Sequence, residues 1–106
     1  MSPSGAEWER VFTLRLRAAL ERMRAGEDVP PALWFRAEGF AEAGIACGAI
    51  DRERLAQLIE SEYLDVLGKT TQALFGEPAA NWIDAAGGVR LRFRLPRAPV
   101  YPTTSA

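Results

Sequence analysis

Four places in this sequence carry residue types whose spacing could do chemistry. Glu38 and Glu42 stand four apart and share a face if their segment is helical. Such a carboxylate pair can hold a divalent cation or work as acid and base. The lone thiol, Cys47, lies between Gly44 and Gly48 shortly before a helix start, where the positive helix end can lower a thiol pKa. Leu67-Gly68-Lys69-Thr70 contains the Gly-Lys-Thr that closes a phosphate-binding loop. Arg90, Arg92 and Arg94 alternate with Val89, Leu91, Phe93 and Leu95, a cationic row that could meet a polyanion or add to a partner's sheet.

The first three of these are incomplete. Glu38 and Glu42 have no third and fourth ligand at a supporting spacing, so a solvated helix face is the expectation. Cys47 has no histidine to serve as its base, because the chain contains none. Flanked by Ile45, Ala46 and Ile50, it reads as a small buried apolar residue. A phosphate loop needs glycine five residues before its second glycine, and that position is Tyr63. No catalytic residue, cofactor or metal is assigned, and a non-enzymatic protein is expected. With one cysteine no intrachain disulfide exists, which suits the cytoplasm. The opening stretch shows no basic run leading into an apolar one, and no apolar run approaches the roughly 20 residues of a membrane span.

Net charge is −1, unevenly spread: residues 1–26 carry +2, 27–88 carry −7 and 89–106 carry +4. An acidic middle therefore precedes a basic tail. That distribution disfavours a helix-turn-helix with the third helix as DNA reader, since Asp51 to Leu67 is net −3 and phosphates would repel it.

The elements that must position these groups follow from periodicity. Trp8, Phe12, Leu16, Ala19, Leu20 and Met23 recur at three and four and predict a helix over Glu7–Ala25, with Ser4 as N-cap. Arg10, Arg17 and Arg24 lie on its other side, a solvated stripe in which Glu21 is placed to pair with Arg17. After the Pro30-Pro31 turn, Leu33, Trp34, Ala37, Phe40, Ala41 and Gly44 trace a second helix over Pro31–Ala46, whose small residues admit a close neighbour. Asp51 caps a third, with Leu55, Leu58, Ile59, Tyr63, Val66 and Leu67 on one face, and the stripe extends it to Phe75 across a weak point at Gly68. Pro78–Ala86 is a candidate short fourth helix before Gly87-Gly88. From Val89 to Leu95 the period becomes two, a strand pattern, until Pro96, Pro99 and Pro102 stop regular pairing.

The expected fold is mainly α: a three-helix bundle, with that short fourth helix as an option, in a helical domain over 1–88. A basic C-terminal strand or extended arm with a Pro-rich tail follows over 89–106. The strand has no partner in the chain. It could pair with a second copy, add to another protein's sheet, or lie across the helices with water on its polar groups. Val89, Arg90, Leu91, Arg92, Phe93, Arg94 and Leu95 are accordingly the candidate partner-binding residues. The expected function is a protein-interaction or regulatory module that forms a homodimer and binds a protein partner. The alternative is a small nucleic-acid-binding regulator using the C-terminal arginines, which the acidic middle disfavours, and no membrane role is expected.

Overall fold

The structure is a computed structural model and describes residues 5–94. The expected cap Ser4, and Leu95 with the Pro-rich tail, lie outside the described residues. The described residues form four helices: α1 (Gly5–Arg24), α2 (Pro31–Ala46), α3 (Arg52–Leu67) and α4 (Thr71–Phe75), then a short 3-10 helix at Ala79–Trp82. Glu9 pairs with Arg54 and, two turns on, Arg17 pairs with Glu62 and Asp65, so α1 and α3 run parallel. Gly44 near the end of α2 meets Trp8 near the start of α1, so α2 runs antiparallel to α1.

The apolar stripe of α1 is buried as its spacing requires: Trp8, Phe12, Leu16, Ala19, Leu20 and Met23 form the centre of the core. Trp8 stacks between Phe12 and Phe40 at 5.2 Å from each ring. That arrangement depends on Gly44, where a Cβ would fall inside the Trp8 indole. A second aromatic group, Tyr63, Phe75 and Trp82, meets edge to face and ties α3 to α4 and the 3-10 helix.

Three expectations are corrected. Helix three does not reach Phe75: it stops at Leu67, because Gly68 takes a left-handed conformation (φ 75°) and Thr70 then caps a separate α4. The Pro78–Ala86 helix shrinks to the 3-10 turn Ala79–Trp82, for Asp84 and Gly88 close a tight turn immediately after it. The C-terminal strand is overturned. Among the described residues there is no β-strand, only one antiparallel bridge between Ile83 and Val89, and the molecule is a bundle of four helices, three of them long.

Among the described residues no helix is long and apolar enough to cross a membrane. The Trp8–Gly44 contact makes a direct stability test. Gly44→Ala improves helix propensity by about 1 kcal/mol, yet it must displace the indole, an overpacking cost of roughly 1–3 kcal/mol. Urea unfolding is therefore expected to show a net loss, whereas the exposed Gly39→Ala in the same helix, with open space around it, gains stability.

Candidate interaction surface

Of the predicted partner-binding residues, Val89 to Arg94 are described, and these pack within the chain. Val89, Leu91 and Phe93 are buried, and Phe93 lies against Trp34 with ring centres 5.6 Å apart. Arg90, Arg92 and Arg94 face outward. Arg92 is paired with Glu77 at 2.9 Å, and the Arg94 guanidinium lies over the Trp34 ring at 5.9 Å.

Both edges of this extended segment find partners within the chain. On one edge the Val89 amide donates to Glu42 Oε2 at 2.9 Å and the Leu91 amide donates to Glu38 Oε2 at 2.7 Å. On the other, the Arg90 amide donates to the Trp82 carbonyl at 2.8 Å, and the Tyr63 hydroxyl donates to the Arg92 carbonyl. The geometry follows from the two repeats. Four helical residues advance about 6 Å and two extended residues about 6.6 Å, so carboxylates at i, i+4 meet amides at j, j+2. Glu38 and Glu42, read from spacing as a solvated pair or a metal site, act as the carbonyls of a missing neighbour strand. Burial, with help from the nearby Glu38 charge, drives the Tyr63 hydroxyl pKa well above its ordinary value, against the lowering effect of the Arg92 contacts, so the proton it donates is firmly held.

Glu60, one turn before Tyr63 on α3, does similar work. It accepts from the Ala79 amide at 2.8 Å, from the Thr71 amide at 3.3 Å and from the Thr71 hydroxyl, fixing α4 and the 3-10 helix against α3. Burial alone would push its carboxyl up. The three donors outweigh that and hold it below its ordinary value.

The remaining sequence candidates resolve into structural parts. Gly68-Lys69-Thr70 is the break between α3 and α4: Gly68 is a helix terminus and the Thr70 hydroxyl accepts from the Ala73 amide at 3.1 Å. Cys47 is exposed rather than buried, since it ends α2 beside the turn at Gly48. Among the described residues no group of three potential metal ligands assembles. The arginine stripe of α1 is only partly solvated. Glu21 pairs with Arg24, not Arg17, which instead reaches across to Glu62 and Asp65 and joins α1 to α3.

What the fold leaves open is elsewhere. A groove of about 610 Å³ runs between α3 and the 3-10 helix, with Ala56, Pro78, Ala80 and Ile83 as its apolar floor and Arg52, Glu53, Gln57 and Glu60 as its polar rim. A larger hollow of about 790 Å³ lies at the α2–α3 loop, but Glu9, Asp51, Glu53 and Arg54 make it strongly charged. On the groove side of α3, Leu64 is 51% exposed, one turn beyond Glu60. Sequence reading missed this surface because Ala56 lies far in the chain from the stretch holding Pro78, Ala80 and Ile83. Leu64, an apolar residue amid the outward Gln57, Glu60 and Ser61, was its one visible sign.

No family model, curated protein or solved structure matches the chain.

The lowered Glu60 pKa has a definite sign. The stability it contributes is present above the unfolded-state pKa and is lost as pH falls through the folded value. Glu60→Gln is therefore expected to reduce stability at neutral pH and to flatten the acid limb between about pH 5 and about pH 3. Urea midpoints across that range check this, and an unchanged acid limb in the variant would contradict it.

Proposed function

We propose that this chain is a non-enzymatic protein-interaction module that self-associates, with the groove between α3 and the 3-10 helix as its contact surface. The supporting observation is that groove. It is an open hollow with an apolar floor, beside a helix whose outer face carries an exposed leucine. A helix laid in such a groove gains from apolar burial without unpairing any backbone group, because its own hydrogen bonds are internal.

The nucleic-acid reading has less to stand on. A polyanion site built on Arg90, Arg92 and Arg94 would have to compete with Glu77 for Arg92 and with Trp34 for Arg94. Glu38 and Glu42, which bind the same segment's backbone, add negative charge beside it.

Sedimentation of the full chain from dilute solution to roughly 1 mM, the weakest association of interest, tests the proposal. A concentration-dependent rise in mass is expected, and Ala56→Arg, which places a cation in the apolar floor, is expected to suppress it. A single-chain mass at every concentration would overturn the self-association reading. Salt-sensitive binding of the full chain to nonspecific duplex DNA would favour the other.

A further inference from the structure

On the reading that the groove is a self-association surface, we infer that its occupant is α3 of a second copy, docked antiparallel about a two-fold axis near Glu60. A two-fold contact must be self-complementary, so every knob on the surface needs its hole on the same surface. The α3 flank satisfies this. Its knob is Leu64, half exposed with no shelter of its own, and its hole is the apolar floor at Ala56, Pro78, Ala80 and Ile83. Leu64 and Ala56 lie eight residues apart, about 12 Å along the helix. An antiparallel neighbour centred on Glu60 brings Leu64 of each copy over Ala56 of the other.

Charge follows the same register. Lys69 lies just past Gly68, the left-handed cap that ends α3, and Asp51 is the cap at its start. An antiparallel neighbour therefore brings the lysine of one copy to the end of the other copy's α3 that carries Asp51, Arg52 and Glu53, at both ends of the contact. Asp51 is engaged in capping α3 through the Arg54 amide, which leaves Glu53 as the freer acid. A parallel arrangement would instead set Glu53 against Glu53 and leave Leu64 facing Leu64 with the groove unfilled. At the midpoint two Glu60 residues approach, and their charge is already met by the amides of Ala79 and Thr71 and the Thr71 hydroxyl within each chain.

The contact is one helix pair with a short flanking turn, small among specific interfaces, so a weak and reversible dimer is the consequence. Leu64 enters as an anchor, Ala56 and the prolyl floor as its pocket, and the Glu53 to Lys69 pairs as the selectors of direction.

The test is directional cross-linking of the full chain in a Cys47→Ser background. One preparation carries Leu64→Cys, a second carries Ala56→Cys, and the two are mixed under mild oxidation. Both positions are outside the core, and circular dichroism confirms the fold of each. The mixed pair is expected to form a covalent dimer at least several-fold faster than Leu64→Cys alone, whose thiols sit about 12 Å apart, beyond disulfide reach. In sedimentation, Glu53→Lys and Lys69→Glu are each expected to weaken the dimer by about two- to fivefold, and the double variant restores it. If the chain dimerises but the mixed pair gains no advantage, or the charge reversal fails to restore, this arrangement is overturned while self-association stands. If the chain never associates, both fall together.

Discussion

Two carboxylates on α2 hold the C-terminal segment in the molecule. Val89, Leu91 and Phe93 contribute roughly 1.5–3 kcal/mol each by leaving water. The same placement takes the amides of Val89, Arg90 and Leu91 and the carbonyl of Arg92 out of bulk solvent, at about 1–3 kcal/mol apiece if unpaired. The two sums are of similar size, so apolar burial alone does not fix the segment. Glu38, Glu42, Tyr63 and the Trp82 carbonyl meet those four groups, and the balance then favours docking.

Much else follows from that fastening. Phe93 covers Trp34, and Arg92 ties to Glu77, which also accepts from the Trp82 indole at 3.0 Å. Tyr63, fixed by the Arg92 carbonyl, is the α3 member of the aromatic group that joins α3 to α4 and the 3-10 helix. Glu60, one turn earlier on α3, fastens the same elements. The groove is therefore the space left when a short 3-10 helix, pinned by carboxylates and aromatic edges, meets the smooth side of α3 at Ala56. Its openness is a consequence of Ala56, Pro78 and Ala80 being too small to close it.

The long helices were legible in the sequence because their periodicity is a direct imprint of one-sided burial. The stripes from Trp8 to Met23 and from Leu55 to Val66 end up inside, and Asp51 and Gly68 mark the ends of α3. Past Gly68 the apolar spacing continued, and the break there depended on a left-handed backbone that propensity alone does not decide. The C-terminal misreading is more instructive. A period of two reports alternating burial, which is true of Val89 to Arg94, but it does not report what meets the backbone. Here side chains from α2 and α3 and the Trp82 carbonyl do so, where a neighbouring strand was expected. The spacing of Glu38 and Glu42 showed that they share a face and could not show what that face would meet. The groove was nearly invisible for the same reason: its floor joins Ala56 of α3 to the distant stretch that holds Pro78, Ala80 and Ile83.

Amide hydrogen exchange, resolved by residue in the full chain, measures the fastening directly. Val89 and Leu91 are expected to exchange as slowly as the interior amides of α3, and to lose that protection selectively in Glu38→Ala with Glu42→Ala while the α1 and α3 amides keep theirs. Val89 and Leu91 amides that exchange at the rate of an unstructured peptide in the unaltered chain, or protection that survives removal of both carboxylates, would contradict it.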